Sequence, residues 1–147
     1  MKVFITGGGG FLGYRLALRL LERKTLIGPD GKAAPISQIK LMDAVFPANA
    51  DSRLVCVKGD IAEPGAITAA MDADTNSVFH LAAVVSSGAE ADFDLGYRVN
   101  LDGTRNLLEA CRKLKAAPRL VFSSSLAVFG GKLPAVVDDS ITPNPQT

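Results

Sequence analysis

The densest cluster of residues with a recognisable chemical use is a glycine-rich turn near the N-terminus. The run TGGGGFLG places Gly7, Gly10 and Gly13 directly after the apolar stretch VFI and before a helical pattern. In such a turn the first glycine permits the tight bend, the second lets the backbone approach a pyrophosphate, and the third lets helix and sheet pack closely. The exposed N–H groups and positive end of the helix attract the phosphates. The turn therefore predicts dinucleotide binding.

A carboxylate suited to hold the ribose is Asp43, which ends the apolar stretch IKLMD. A carboxylate there accepts hydrogen bonds from the ribose hydroxyls and repels a 2′-phosphate, so it favours NAD over NADP. Asp43 lies thirty residues after Gly13, whereas about 20 is usual. We interpret the turn at 28–31 as an insertion that absorbs the excess. The alternative is a solvated aspartate at a strand end.

The remaining polar candidates have simpler explanations. His80 is the sole histidine and stands in an apolar run, so we expect it to be packed or hydrogen-bonded locally, since a metal site needs several ligands. Cys56 and Cys111 lie in apolar runs and are expected to be reduced core thiols. Asp92 and Asp94 suit the positive end of a helix. We predict no metal site and no hydrolytic carboxylate pair.

Short apolar runs alternate with helical patterns along the chain. Strands are predicted at 2–6, 39–43, 54–58, 77–83 and 120–124, and helices at 11–23, from Pro64 onward and at 92–115. This alternation implies parallel strands joined by right-handed crossovers. The predicted fold is α/β, a doubly wound parallel sheet of the Rossmann type with strand order 3-2-1-4-5, in which the fifth strand is an edge and the sequence after it is loop.

Composition is that of a globular domain. The 147 residues, 48% hydrophobic and 21% charged, suffice for one domain with a core. With 16 basic and 15 acidic residues the net charge is only +1, so the overall electrostatic potential of the protein does not favour nucleic acid or an anionic membrane as a partner. The N-terminal apolar run is far too short for a signal peptide or a membrane span of about 20 residues. Two thiols without a disulfide framework fit a reducing compartment, so we expect a cytoplasmic protein.

The sequence resembles the extended short-chain dehydrogenases/reductases, the family of NAD-dependent epimerases and dehydratases. The matching segments follow the family's order and span nearly the whole chain. They are TGGGGFLG at 6–13, GDI at 59–61, HLAA at 80–83, VNLDGT at 99–104 and SSSLAVFG at 123–130. The resemblance implies NAD as cofactor and residues 1–147 as a Rossmann domain that is incomplete at its C-terminal end.

Further cofactor contacts follow from the resemblance. It implies that Asp60 and Ile61 flank the adenine, and that Asn100 helps to hold the helix and a proton-relay water. The other implied cofactor residues are Phe11, Leu12, Leu81, Ala82, Ala83 and Ser123.

Oxidation of a secondary alcohol needs a base at the hydroxyl. In the family a tyrosine is the base, a lysine four residues later lowers its pKa, and a serine or threonine after the fifth strand binds the substrate oxygen. Ser125 matches that last, catalytic role, with Ser124 as its competitor. Tyr14 and Tyr97 are each followed four residues on by leucine, so the 147 residues contain no Tyr-x-x-x-Lys. We expect negligible dehydrogenase activity from them and interpret them as the cofactor half of a larger enzyme.

Within the family, residues 39–47, 80–112 and 124–131 are most similar to the branch that oxidises the four-carbon sugar acid D-erythronate with NAD. The implied substrate is a small sugar acid, and the candidate contacts are Val84, Ser86, Ser87 and Ser125. The alternatives are a nucleotide-sugar epimerase or dehydratase and a non-catalytic NAD-binding module. Because the helix at 92–115 commonly joins a dimer's helix bundle in this family, the full-length protein is expected to be a homodimer, and the apolar stripe of that helix to be partly uncovered here.

Overall fold

Strands and helices alternate along most of the chain. The computed structural model describes residues 1–146, with every side chain among them except that of Ser86. The strands are β1 (Lys2–Thr6), β2 (Thr25–Ile27), β3 (Ala33–Pro35), β4 (Gln38–Asp43), β5 (Val55–Lys58), β6 (Thr75–His80) and β7 (Arg119–Phe122). The helices are α1 (Phe11–Arg23), α2 (Ala66–Ala70), α3 (Ser86–Ala91), α4 (Phe93–Tyr97) and α5 (Gly103–Arg112), with a π-helical segment at Arg98–Asp102 and a 3-10 turn at Leu126–Val128.

The main sheet has the strand order β5-β4-β1-β6-β7. All four pairings in it are parallel. The chain moves from β1 outward through β4 to β5, then returns to β6 on the other side of β1, so the order reverses between β1 and β6. The predicted doubly wound sheet and its strand order are confirmed. Ligands of such sheets bind at the carboxyl ends of the strands at this reversal.

Two apolar layers hold the sheet between helices. One lies on the α1 side and contains Val3, Ile5, Ala17, Leu20, Ile39, Leu41 and Leu54. The other lies on the α5 side and contains Phe4, Met42, Ile61, Ile67, Ala70, Met71, Val78, Leu107 and Ala110. Because successive β1 residues face opposite layers, β1 is fixed from both sides and the turn that follows it has a rigid base.

One inserted element was not predicted. The segment at 24–35 was expected to be a polar connection, but β2 and β3 form an antiparallel hairpin there. The Gly28 N–H donates to the Lys32 carbonyl at 2.8 Å, and Gly31 has a φ of +77°, which glycine adopts without strain. Strands of three residues are too short to show the alternation of apolar and polar residues that would predict them.

The prediction that Cys56 is a core thiol was wrong, because edge strand β5 leaves it exposed.

The long helix predicted at 92–115 is divided. Residues 93–112 are helical, but the π-helical segment separates α4 from α5, and the unpredicted α3 precedes them. The Asp92 carboxylate caps α4 by accepting the Leu95 N–H at 2.9 Å.

No helix in the described residues is long and apolar enough to cross a bilayer.

Two apolar surfaces are uncovered, as expected from the sequence. Edge strand β7 exposes Leu120, Val121 and Phe122. The helical segments from α4 to α5 expose a stripe that consists of Phe93, Tyr97, Leu101 and Leu108.

Candidate cofactor site

The turn between β1 and α1 needs glycine for steric reasons that the structure makes explicit. Gly7 has a φ of +71°, and a Cβ there would lie 2.6 Å from the Ala82 nitrogen. A Cβ on Gly13 would collide with the Gly7 carbonyl oxygen. The first position thus lets β1 approach the end of β6, and the third lets α1 approach the turn.

The N-terminal end of α1 is open and has no negative charge of its own. The first helical N–H groups, from Phe11 to Gly13, have no acceptor within the helix. Phe11 is 74% and Leu12 62% exposed, and the first turn contains no acidic residue. This end of the helix can therefore accept an anion such as a pyrophosphate.

Asp43 lies beside the same turn. Parallel pairing of β4 with β1 brings it there, and its Oδ2 accepts the Gly9 N–H at 3.0 Å. The Val45 N–H points to Oδ1 at 3.4 Å. The carboxylate remains half-buried with acceptor capacity left for hydroxyl groups. Asp43 and the turn together fit the ribose and pyrophosphate of a dinucleotide.

The loop after β5 is attached to the helical layer opposite α1. The Asp60 carboxylate accepts the Ala62 N–H at 2.9 Å and the Arg98 guanidinium at 2.7 Å. Partial burial raises the pKa of Asp60, but these two hydrogen bonds and the positive charge of Arg98 together hold the pKa below its usual value. Ile61 is only 5% exposed, and the Asn106 amide donates to its carbonyl at 3.1 Å. Only the backbone of Ile61 can therefore face a ligand.

A chain of hydrogen bonds, buried at Thr6 and His80 and exposed at Asn100, connects β1 with the helix at 93–112. His80 Nδ1 lies 2.6 Å from the Thr6 hydroxyl, and His80 Nε2 lies 2.9 Å from the Thr104 hydroxyl. The Thr104 hydroxyl donates to the Asn100 carbonyl at 2.6 Å. His80 is 2% exposed, and burial lowers the pKa of its imidazole.

The buried imidazole predicts a specific pH dependence. The unfolded chain takes up a proton on His80 near pH 6.5, whereas the folded chain does so only at lower pH. Below pH 6.5 the unfolded state binds more protons, so stability falls as pH falls, by at most about 1.4 kcal/mol per pH unit. Urea unfolding between pH 7.5 and 5 measures this slope. His80→Gln, which has no titrating group, is the control, and equal slopes in both proteins would contradict the prediction.

The residues after β6 include three predicted cofactor contacts, Leu81 to Ala83, and the predicted substrate contact Val84. Leu81 and Ala82 are half-buried against the glycine turn, and Ala83 is exposed. The Asn100 side chain binds Val84 twice, accepting its N–H at 2.8 Å and donating to its carbonyl at 2.9 Å.

The serines follow the same two strands. Ser87 is exposed in α3, while Ser86 lies outside the described side chains. The Ser123 N–H extends the sheet by donating to the His80 carbonyl at 3.1 Å. Ser125 is exposed, and its hydroxyl caps the 3-10 turn by accepting the Ala127 N–H at 3.1 Å. The neighbouring strands β6 and β7 therefore bring these residues to the carboxyl end of the sheet.

Three residues that support the candidate site were not identified from the sequence. Thr6 and Thr104 are the two hydroxyl partners of His80, and Arg98 is the cation that binds Asp60. Thr104 follows Asn100 by four residues, a spacing at which a helical hydroxyl reaches the carbonyl one turn back. That signal is local and readable, whereas the partners of His80 and Asp60 depend on the tertiary fold.

Comparison with known proteins agrees with this geometry. Two curated relatives are D-erythronate dehydrogenases: that of Cupriavidus necator is 54% identical over 148 residues, and that of Haemophilus influenzae is 45% identical over 149 residues. Each alignment covers 100% of this chain and 45% of the relative. The chain thus spans about half the length of these relatives.

Solved structures show the same fold. A nucleoside-diphosphate-sugar epimerase from Agrobacterium tumefaciens superposes with a TM-score of 0.83 at 38% identity, over 99% of this chain and 43% of its own. A uronate dehydrogenase from the same organism, in complex with NAD, has a TM-score of 0.76 at 25% identity, over 98% of this chain and 48% of its own. NAD, the cofactor predicted from the sequence, is therefore bound by a structural relative of this chain.

The family model of the 3-beta hydroxysteroid dehydrogenase/isomerase family matches residues 4–142. This match begins within β1, runs through β7 and includes every described residue of the candidate site. The chain belongs to this family, within the extended short-chain dehydrogenases/reductases that the sequence resembles.

Proposed function

We propose that residues 1–147 are the NAD-binding part of an oxidoreductase that oxidises the secondary hydroxyl of a small sugar acid such as D-erythronate. The observation that carries the cofactor proposal is the Asp43 carboxylate, bonded to the Gly9 N–H beside the open end of α1. The substrate proposal is supported by identity to two D-erythronate dehydrogenases over the full chain.

The site divides the chemical tasks among few residues. The N–H groups at the start of α1 hold the pyrophosphate, and Asp43 holds the adenosine ribose. NAD, when bound, accepts the hydride of the substrate. Ser125 donates a hydrogen bond to the substrate oxygen, and Val84 and Ser87 line the substrate side. The hydroxyl proton needs a base, and neither tyrosine of the chain lies in a Tyr-x-x-x-Lys sequence. We therefore propose cofactor and substrate binding without turnover for these 147 residues.

Titration of the chain with NADH tests cofactor binding, and thermal unfolding of the NAD complex with candidate substrates tests substrate binding. D-erythronate, the compound that NAD would oxidise, is expected to raise the Tm of the NAD complex, since a ligand at ten times its Kd adds about 1.4 kcal/mol. NAD reduction by D-erythronate is expected to be undetectable. Absence of NADH binding would contradict the cofactor assignment, and turnover at an ordinary enzyme rate would contradict the assigned lack of a base.

A nucleotide-sugar epimerase or dehydratase is the second candidate, favoured by the superposition on the Agrobacterium epimerase. In that case UDP-glucose, and not D-erythronate, would raise the Tm of the NAD complex. A non-catalytic NAD-binding module would respond to neither compound.

For the whole protein we propose a homodimer that uses the apolar stripe of α4 to α5, and a cytoplasmic location that suits the two free thiols.

A further inference from the structure

The hydrogen-bond chain that begins at Thr6, the last residue of β1, and runs through His80 and Thr104 to Asn100 is satisfied by one arrangement of protons. The Thr104 hydroxyl lies 2.6 Å from the Asn100 carbonyl, so its hydrogen is used there and its oxygen must accept from His80 Nε2–H. His80 Nδ1 is then the unprotonated nitrogen, and it accepts the Thr6 hydroxyl at 2.6 Å. The Thr6 oxygen in turn faces the Ala82 N–H at 3.4 Å. A neutral imidazole with its proton on Nε2 satisfies every member.

The far end of this chain controls a segment outside the core. Asn100 lies inside the π-helical segment, and Thr104 holds its carbonyl. The Asn100 amide binds both backbone groups of Val84, at 2.8 and 2.9 Å. A shift of the π-helical segment would therefore displace Val84 with it. Such departures from α-helical geometry often occur at functional sites.

The topology places Val84 on one particular half of a bound dinucleotide. The pyrophosphate lies at the turn after β1, and the adenosine ribose lies toward β4 because Asp43 ends that strand. The other half must extend across the reversal of strand order toward β6 and β7. Val84 follows β6 there, and β6 lies on the other side of β1 from β4, the strand that ends in Asp43.

From these contacts we propose that the Thr6–His80–Thr104–Asn100 chain fixes Val84 against the nicotinamide half of NAD, which makes His80 and Thr104 positioning residues. This inference rests on the proposed NAD binding and deepens it. The side-chain hydrogen bonds of Thr104 and Asn100 reach His80, Val84 and the helix backbone, and none reaches Asp43 or Asp60, so their loss is expected to act on the nicotinamide half.

Paired titrations of the 147-residue chain with NADH and with ADP-ribose, which lacks the nicotinamide, test this inference. Thr104→Val keeps the side-chain shape but removes the hydroxyl, whereas Thr104→Ser keeps the hydroxyl. Thr104→Val is expected to weaken NADH binding about fivefold, the effect of one lost hydrogen bond, and to leave ADP-ribose binding unchanged. Thr104→Ser and Thr68→Val, an exposed threonine on α2, are expected to match the wild type.

A second variant covers the case in which Thr104→Val does not fold. Asn100 is exposed, so Asn100→Ala leaves the core intact and is expected to cause the same NADH-specific loss. Equal weakening of both ligands, or of neither, would overturn the inference, as would equal wild-type affinity for NADH and ADP-ribose. If the wild type binds neither compound, the proposed function itself is wrong and this inference falls with it.

The proton arrangement has its own measurement. With a single histidine in the sequence, a long-range ¹H–¹⁵N correlation spectrum reports on His80 alone. The nitrogen shifts at pH 7.5 are expected to show a neutral ring protonated at Nε2. A ring protonated at Nδ1, or at both nitrogens, would overturn the assignment.

Discussion

Replacing Gly13 with alanine is expected to lower both the stability of the chain and its affinity for NAD. The new Cβ would collide with the carbonyl of Gly7, so α1 and the turn must move apart. Overpacking of this kind costs about 1–3 kcal/mol of stability. Displacement of the N–H groups at the start of α1 is expected to weaken NAD binding by roughly tenfold or more, which corresponds to about 1.4 kcal/mol.

Gly10→Ala is the matched comparison. Gly10 has an ordinary φ of −74°, and its added Cβ would lie 3.3 Å from the Gly7 carbonyl oxygen, so the turn must move by only a few tenths of an ångström. The methyl group would instead occupy the approach to the pyrophosphate. Gly10→Ala is therefore expected to keep its Tm and lose NAD affinity, whereas Gly13→Ala loses both. Wild-type Tm and affinity in Gly13→Ala would contradict this interpretation of the turn.

Asp43→Asn is expected to change which cofactor the chain prefers. The amide removes the charge that repels a 2′-phosphate and weakens the hydrogen bonds to the ribose. A hydrogen bond to a charged group contributes about 1.5–3 kcal/mol, so NAD affinity is expected to fall about tenfold or more while NADP affinity rises. Calorimetric titration with both cofactors measures the ratio.

The control for this substitution removes the same charge elsewhere. Asp74 pairs with Lys2 at 2.8 Å at the amino end of the sheet, far along β1 from the glycine turn. Asp74→Asn is expected to leave the ratio of NAD to NADP affinity unchanged. A wild-type ratio in Asp43→Asn would show that Asp43 is the solvated aspartate that the sequence left as an alternative.

The parallel strands were predictable because each is a short, largely apolar run, and their order is the usual one for a doubly wound sheet. The hairpin at β2 and β3 was not, because three-residue strands carry no period. The π-helical segment was also hidden, since the apolar spacing of residues 93–112 fits one helix. Its position depends on Asn100, whose partner Val84 lies in another part of the fold.

The candidate site shows the same division. Gly7, Gly13 and Asp43 could be identified because local backbone geometry and strand ends determine their roles. His80 was expected to be packed or hydrogen-bonded locally, and it is both buried and bonded to two hydroxyls. Its partners could not be named, because Thr6 and Thr104 are brought to it from β1 and α5 by sheet pairing and helix packing.

A ¹H–¹⁵N correlation spectrum of the 147-residue chain, recorded during addition of NADH, tests the location of the cofactor site directly. Saturable shifts are expected at the amides of residues 7–13, at Asp43 and at residues 82–84. A cavity of about 220 Å³ lies near the amino ends of β6 and β7, lined by residues that include Arg23, Phe79 and Val121. Shifts confined to that cavity, or no saturable shifts at all, would contradict the assignment of the site to the glycine turn.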